Sequence, residues 1–385
     1  MVFDRHTKQI IEEIVSPLII MAMRTLYQVC LDSLVSLLLL FPLTRARSFP
    51  IQSKIGRRFL RNNGFLARMC DMSVSEGEYR DNEVSAGDIP RFIESFKGQL
   101  DMSSAEKSAS EYKTFNEFFA RKLRPGARPI VGDSDDILVS AADCRLQVYE
   151  SVDDATRFWV KGRNYSTAGL LADKNLAARF EGGSMAIFRL APQDYHRYHS
   201  PVAGRVVSIT DVPGHLLTVN PIAVNCVYAD VFTINKRAVM VIDTPNFGPV
   251  AFVAIGATLV GSIVWSVKPG DVISRGSELG YFKFGGSTCI ALFPKDTVKW
   301  DQDIASNSLR SLETLIQMGN RIGIRADAEE PLSLSDTRIR VDAVQAAAAA
   351  VAEAGVLSLD ERMTSFRSPG VDLEEGLKTV VERGY

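Results

Sequence analysis

Histidine is the scarcest titratable residue of this 385-residue chain, which has four: His6, His196, His199 and His215. The five cysteines are scattered, form no C-x-x-C pair, and their odd number argues against a disulfide framework. A zinc knuckle is therefore not expected, and no H-E-x-x-H pattern accompanies the histidines. The sequence predicts no metal site.

An excess of positive charge is also lacking, because 44 Lys and Arg residues face 46 Asp and Glu residues, a net charge of −2. A global basic field that could hold a nucleic-acid backbone is therefore absent, and no nucleic-acid partner is predicted. Residues 1–13 carry five charges before any apolar run, so no secretory signal is expected there.

A long uninterrupted apolar run is missing as well. Residues 14–43 are rich in Leu, Ile, Val and Met, but Pro17, Arg24 and Asp32 interrupt them, and the longest charge-free window, residues 33–44, has 12 residues. A spanning helix needs about 20 apolar residues. The pattern favours one or two helices lying in the membrane interface, with a tilted span as the weaker alternative.

A basic segment follows this apolar region. Between Asp32 and Asp71 there is no acidic residue, whereas seven residues are basic: Arg45, Arg47, Lys54, Arg57, Arg58, Arg61 and Arg68. Such a pattern suits an anionic lipid surface. Residues 1–70 are therefore predicted to be a helical membrane-associating region; the alternative is a buried helical hairpin with solvated arginines.

The rest of the chain divides into segments of different residue composition. Residues 72–111 are polar and predict a surface segment or loop, after which Thr114 is expected to cap a helix that ends at Pro125-Gly126. Short Val, Ile, Phe and Thr runs broken by turn residues predict a β-rich domain over 137–293. Helix-forming runs dominate residues 327–385. The predicted fold class is α+β, with a β-rich catalytic core, an amino-terminal helical region and a helical carboxy-terminal tail.

Two of the four histidines lie three residues apart, between Pro192 and Pro201. One or two helical turns fit between these prolines, and His196 and His199 would then share a face. An extended segment would instead send them to opposite faces. Their scarcity and spacing leave a functional role and a satisfied structural role equally open.

Two further segments offer reactive groups. In Gly285-Gly286-Ser287, a hydroxyl next to an unshielded glycine carbonyl can attack that carbonyl if a base removes its proton. A tight turn is the simpler reading, and Gly182-Gly183-Ser184 shows that the tripeptide alone is not specific. Asp143 lies among small residues after an apolar run. Ser, His and Asp are thus available for a proton relay.

Taken together, the segments resemble the phosphatidylserine decarboxylases, a pyruvoyl-dependent enzyme family. The resemblance covers about residues 110–326 and lies in motifs whose order and spacing both match: 115–123, Arg128-Pro129, Ala142-Asp143, 159–166, 194–201, 218–221, 235–237, Phe247-Gly248, Gly256-Ala257, 260–263, 284–288 and 318–320. Residues 285–288 resemble the self-cleavage site of the branch of this family that reads Gly-Gly-Ser-Thr. Ala203 and Cys144 depart from residues common in the family, and neither belongs to the proposed relay.

The resemblance implies roles for specific residues. Ser287 would attack the Gly286 carbonyl, so that the chain cleaves itself between 286 and 287 and Ser287 becomes a covalent pyruvoyl group. His199 would be the base that activates Ser287, and Asp143 would orient His199. The pyruvoyl group would bind phosphatidylserine as a Schiff base and release carbon dioxide, yielding phosphatidylethanolamine, with His196 as the acid or as the group that holds the leaving carboxylate.

The predicted organisation is a membrane-associating region over 1–70, a decarboxylase core over 71–326 and a helical tail over 327–385. The large and small chains are expected to stay associated at an anionic membrane surface, which mitochondrial, endomembrane and bacterial plasma membranes would all supply. The tail is interpreted as a docking or dimer element, giving a homodimer, or as an appendage. A relative acting on a soluble amino acid, a Ser-His-Asp hydrolase and a non-catalytic lipid-binding module are the alternatives; the latter two would leave the chain uncut.

Overall fold

The computed structural model describes residues 2–11, 63–160, 165–219, 224–225, 230–257, 262–284 and 287–329. Most of the predicted membrane-associating region, the glycines of the predicted cleavage site and nearly all of the predicted tail lie outside these ranges. Among the described residues, no helix combines the length and apolar character needed to cross a membrane.

A ten-stranded sheet organises the described residues, and its strand order is β11-β7-β8-β9-β13-β5-β4-β15-β1-β2. All neighbours are antiparallel except β1 and β15, which are parallel. Its strands are β1 (Val2–Asp4), β2 (Gln9–Ile11), β4 (Cys144–Tyr149), β5 (Met185–Leu190), β7 (Gly204–Val212), β8 (Arg237–Thr244), β9 (Gly248–Gly256), β11 (Val272–Ile273), β13 (Ser287–Leu292) and β15 (Glu313–Ile316).

Two three-stranded sheets accompany the large one. The first has the order β10-β12-β6 and the second β14-β16-β3. Their strands are β3 (Ile137–Val139), β6 (Arg197–His199), β10 (Ile263–Trp265), β12 (Glu278–Phe282), β14 (Val298–Trp300) and β16 (Arg321–Arg325). The prediction of a β-rich domain is therefore confirmed, and its strands continue beyond residue 293 to Arg325.

The centre of the large sheet is buried on both faces, which explains why its central strands β9, β13 and β5 are mostly apolar. In β13, Cys289 and Ala291 pack into one apolar cluster, whereas Ile290 and Leu292 pack into a second cluster. Because successive strand residues point to opposite faces, this alternation places one cluster on each side of the sheet. Ser287, the first residue of β13, is thereby fixed at the end of a central strand that is covered on both faces.

Short helices fill the connections of the core. They are α1 (Asn63–Asp81), α2 (Ile89–Ser95), α3 (Phe115–Phe119), α4 (Val152–Phe158), α5 (Thr167–Leu171), α6 (Lys174–Ala178), α7 (Val231–Ile234) and α8 (Gln302–Leu309). The Thr114 side chain accepts a hydrogen bond from the Glu117 amide, as predicted for the cap of α3. However, α3 ends at Phe119, so the prediction that it runs to Pro125-Gly126 was wrong.

Residues 72–111 lie largely at the surface, as predicted, but the loop alternative was wrong, since this segment contains the end of α1, a 3-10 helix over Glu83–Asp88 and α2. The cause is tertiary packing. An aromatic cluster buries seven rings from this region and its neighbours: Phe92, Phe96, Tyr112, Phe115, Phe118, Phe119 and Phe284. The apolar residues of a mostly polar segment are thus enough to anchor its helices.

The first residues of the chain form strands, which corrects the amino-terminal boundary of the helical membrane-associating region predicted over 1–70. β1 pairs with β15 and β2 extends the sheet edge. The Arg5 guanidinium donates to the carboxylates of Asp301 and Asp303 at 2.7 and 2.8 Å, which holds this hairpin against the core. Residues 2–11 therefore belong to the core.

Gly280 lies where two backbones approach closely. A Cβ at this position would lie 2.1 Å from the Val264 carbonyl oxygen and 2.6 Å from the Tyr198 hydroxyl. Gly280→Ala is expected to lower the free energy of unfolding by about 1–3 kcal/mol, because the strands must move apart. Gly87→Ala is the control, since a Cβ there meets no atom within 4 Å. Thermal melting checks this, and equal melting temperatures would contradict it.

Candidate active site

Ser287 lies at the start of β13, between β5 and β9. It pairs with Leu190 on one side and with Gly256 on the other, and its side chain is fully buried. Its Oγ lies 3.2 Å from Nδ1 of His196. Ser184 of the other Gly-Gly-Ser tripeptide instead donates to the Glu150 carbonyl oxygen at 3.1 Å. The structure therefore distinguishes the two serines by their partners.

The histidine segment is extended, so the prediction of one or two helical turns was wrong. Residues 197–199 form β6, which pairs with β12 through Tyr198 opposite Gly280 and His199 opposite Glu278. This pairing supplies the backbone hydrogen bonds that a helix would otherwise provide. The extended alternative holds, and the two histidines reach different partners.

His196 is enclosed completely. The ring of Phe119 stacks on it with centroids 3.9 Å apart, and its Nε2 lies 3.0 Å from the Ala191 carbonyl oxygen. A carbonyl only accepts, so Nε2 carries the proton and Nδ1 accepts from the Ser287 hydroxyl. Burial, followed by the positive charge of Arg121, lowers the pKa of His196 to about 3. The imidazole is therefore neutral at pH 7 in the uncleaved chain.

His199 is held by two other groups. Its Nδ1 lies 2.9 Å from the Gly276 carbonyl oxygen, and its Nε2 lies 3.0 Å from the Tyr195 hydroxyl. Nδ1 therefore donates to the carbonyl, and Nε2 accepts from Tyr195. Burial lowers the pKa of His199, although the Gly276 carbonyl and the charges of Glu278 and Asp143 oppose this shift. His199 is also a neutral base.

The partners of the Asp143 carboxylate are an arginine and a backbone amide rather than a histidine. Its carboxylate accepts from Arg128 at 2.6–3.0 Å and from the Met318 amide at 2.9 Å. Its charge nevertheless raises the pKa values of His199 and Tyr195. The contacts of Asp143 and His199 thus differ from a relay in which Asp143 bonds His199 and His199 bonds Ser287. Strand β6 instead directs the His199 ring toward Gly276 and Tyr195. The roles of the four residues stay predictions.

Sequence reasoning missed the supporting residues of this site. Arg128 pairs with Asp143, the Tyr195 hydroxyl donates to His199, and the Asn116 side chain accepts from the Phe284 amide at 2.7 Å, which fixes the chain shortly after β12. Arg128, Tyr195 and Asn116 all lie in motifs that carry the family resemblance, yet their partners lie 4 to 168 positions away. Spacing alone gave no signal for those pairings.

The burial of His196 should make the free energy of unfolding depend on pH. Its pKa of about 3 lies below the ordinary value of 6.5, so as the pH falls from 6.5 the unfolded chain takes up a proton that the folded chain does not. The free energy of unfolding therefore decreases as the pH falls. In a Ser287→Ala background, His196→Gln should remove up to about 1.4 kcal/mol per pH unit of this decrease.

Denaturant titrations between pH 7 and pH 5 measure this difference. His6→Gln is the matched control, because His6 is exposed and its backbone amide bonds Asp4 locally. Identical pH slopes for His196→Gln and His6→Gln would contradict the account of His196.

Comparison with known proteins places these residues in a family. A model of the phosphatidylserine decarboxylase family matches residues 115–324. Phosphatidylserine decarboxylase proenzyme 2 of Oryza sativa subsp. japonica is 45% identical over 325 residues, which are 84% of this chain and 48% of the rice protein. Phosphatidylserine decarboxylase proenzyme 3 of Schizosaccharomyces pombe is 46% identical over 266 residues, 69% of this chain and 27% of the yeast protein.

This chain therefore spans half or less of the length of these two relatives. A shorter protein, the phosphatidylserine decarboxylase proenzyme of Clostridium perfringens strain ATCC 13124, is 40% identical over 271 residues, which are 70% of this chain and 90% of the bacterial protein. The family match covers the segments that contain Ser287, His196, His199 and Asp143. The chain belongs to the phosphatidylserine decarboxylase family.

Proposed function

We propose that this chain cleaves itself between Gly286 and Ser287, carries a pyruvoyl group made from Ser287, and decarboxylates phosphatidylserine to phosphatidylethanolamine. The observation that carries the proposal is the contact between the Ser287 hydroxyl and His196 at the start of a buried strand. The similarity to three phosphatidylserine decarboxylase proenzymes supports it.

The proposed cleavage needs no outside oxidant. The Ser287 Oγ attacks the Gly286 carbonyl carbon, the peptide C–N bond breaks, and an ester with a free Ser287 amine results. Loss of the Ser287 Cα proton then breaks the Cβ–Oγ bond, so that Oγ leaves as part of the Gly286 carboxylate. Hydrolysis of the remaining dehydroalanine releases ammonia and leaves the keto group on the former Ser287 Cα.

His199 is the proposed base for this cleavage. It is neutral, and Asp143 lies near enough to stabilise the imidazolium that forms when it takes a proton. Its Nε2 accepts from Tyr195, so removal of the Ser287 proton by His199 requires this bond to exchange for one to Ser287. Tyr195 therefore holds the base in one tautomer until Ser287 replaces it.

The residues around Ser287 fit a pyruvoyl group. Residue 287 is buried, its Oγ has a histidine within hydrogen-bond distance, and the stacked Phe119 holds that ring in place. When formed, the group supplies a carbonyl that takes up the substrate amine as a Schiff base and accepts the electrons released with carbon dioxide. His196 is proposed to return a proton to the substrate carbon or to hold the leaving carboxylate.

A serine hydrolase in an uncut chain is the second candidate, because it too would place a histidine against Ser287. The other ring nitrogen of His196, however, lies against the Ala191 carbonyl rather than a carboxylate. A hydrolase triad has a carboxylate at that position. This contact of His196 with a backbone carbonyl therefore favours the decarboxylase over the hydrolase.

We also propose that the basic segment before Asp71 binds an anionic membrane, on the strength of its seven positive charges. Replacing Arg45, Arg47, Arg57 and Arg58 by Ala should weaken co-sedimentation with vesicles that contain phosphatidylserine. Each basic residue near an anionic surface is worth about 1 kcal/mol. Binding to vesicles of neutral lipid is the control, and unchanged binding to anionic vesicles at low salt would contradict the proposal.

Release of labelled carbon dioxide tests the proposed activity. Phosphatidylserine that carries the label in its serine carboxyl should lose it to the purified chain and leave phosphatidylethanolamine. Full release without any cleavage of the chain would support another mechanism, and no release by fully cleaved protein would overturn the proposed substrate.

A further inference from the structure

Arg121 lies directly after α3, and its charged group is only partly satisfied. The residue is 3% exposed, and its Nη2 donates to the carbonyl oxygens of Gln193 and Asp194, each at 3.1 Å. Nε and Nη1 have no hydrogen-bond partner within the part of the chain that the structure describes. Buried N–H groups of a charged side chain are costly to leave unpaired, so these donors point to an anionic ligand.

The carboxylates nearest Arg121 are bonded to other guanidinium groups. Asp143 and Asp194 are the carboxylates that act on it, but Asp143 pairs with Arg128 and Asp194 with Arg145. Within the described residues, the hydrogen bonds of the Arg121 guanidinium go to backbone carbonyls alone. A buried guanidinium without a carboxylate bonded to it is suited to binding an anion.

Arg121 lies beside the reacting residues. Phe119, two positions before Arg121, stacks on His196, and the two carbonyls that hold Arg121 belong to the loop that ends in His196. The charge of Arg121 also contributes to the lowered pKa of His196. An anion held by Arg121 would therefore offset this charge and favour the protonated form of His196.

We propose, resting on the proposed function, that Arg121 binds the phosphodiester of the substrate headgroup through its unpaired N–H groups and so positions its serine at residue 287. The substrate has two anionic groups. Its carboxylate loses charge as carbon dioxide leaves, so a guanidinium bound there would stabilise the substrate more than the transition state. The phosphodiester keeps its charge throughout, and its oxygens accept charge-assisted hydrogen bonds from guanidinium N–H groups.

Arg121→Met tests the assignment with two substrates: phosphatidylserine and a lipid whose serine is joined to the same diacylglycerol by an ether bond without phosphate. The variant should lose about 10–100-fold in kcat/KM for phosphatidylserine, chiefly through KM, because a charged hydrogen-bonding contact is removed. Its kcat/KM for the phosphate-free lipid should stay unchanged. Arg205→Met, at an exposed residue of β7, removes the same charge outside the site and should alter neither value.

Equal losses for both lipids would assign Arg121 to the carboxylate or to structure and would overturn the proposal, as would no loss for either. A folded but uncleaved Arg121→Met would assign the residue to cleavage and would also overturn it. Arg121→Lys keeps the charge without the planar guanidinium; if Arg121→Met does not fold, this variant must show the same selective rise of KM for phosphatidylserine. Wild-type protein that releases no carbon dioxide would instead refute the proposed function.

Discussion

Ser287→Ala is expected to remain a single full-length chain and to release no carbon dioxide from phosphatidylserine. The variant lacks the hydroxyl that would attack the Gly286 carbonyl, and it lacks the oxygen that would leave in the elimination. Both cleavage and the carbonyl of the pyruvoyl group depend on that one atom. Intact mass and release of label from the serine carboxyl measure the two losses separately.

Ser184→Ala is the matched control, because Ser184 also follows two glycines and is buried at the edge of a strand of the same sheet. It contacts a carbonyl oxygen rather than a histidine. This variant should cleave and turn over like the unaltered chain. Cleavage of Ser287→Ala, or failure of Ser184→Ala to cleave while it stays folded, would show that the wrong serine has been assigned.

Replacing each of the two histidines by alanine should separate cleavage of the chain from turnover of the substrate. His199→Ala is expected to stay full length, because the base that activates Ser287 is removed. His196→Ala is expected to cleave but to lose about 10²–10⁴-fold in kcat, the usual contribution of a positioned acid or base. Cleavage is followed by intact mass, and kcat is measured on the cleaved fraction.

The contact between His196 and Ser287 makes the reverse result informative. If His196→Ala blocked cleavage and His199→Ala did not, then the histidine that touches Ser287 in the uncleaved chain would be the base. His215→Ala is the control, since His215 forms a β-bridge with Asn235 outside this site. It should leave both cleavage and turnover unchanged.

The sequence predicted the elements whose causes are local. The Thr114 cap and the β-rich texture depend on neighbouring residues, and both are confirmed. The helices over 72–111 were missed because a few buried rings anchor a mostly polar segment. The histidine segment was assigned to the wrong element because its extended form depends on pairing with β12, about 80 positions away.

The candidate site shows the same division. Ser287, His196, His199 and Asp143 were predicted as site residues from their motifs, but the partners of each depend on strand register. Ser287 meets His196 because β13 pairs with β5, whose following loop returns His196 to the strand end. Arg128 takes the Asp143 carboxylate that had been expected on His199. Such long-range pairings have no signature in spacing.

The mass of the small chain tests the central claim most directly. Freshly purified protein should contain a fragment that begins at residue 287, lighter by one ammonia molecule than a chain beginning with serine, blocked to Edman degradation and reactive toward carbonyl reagents. A single uncleaved chain in protein that releases carbon dioxide from phosphatidylserine would contradict the account, as would an active fragment that begins with an intact serine.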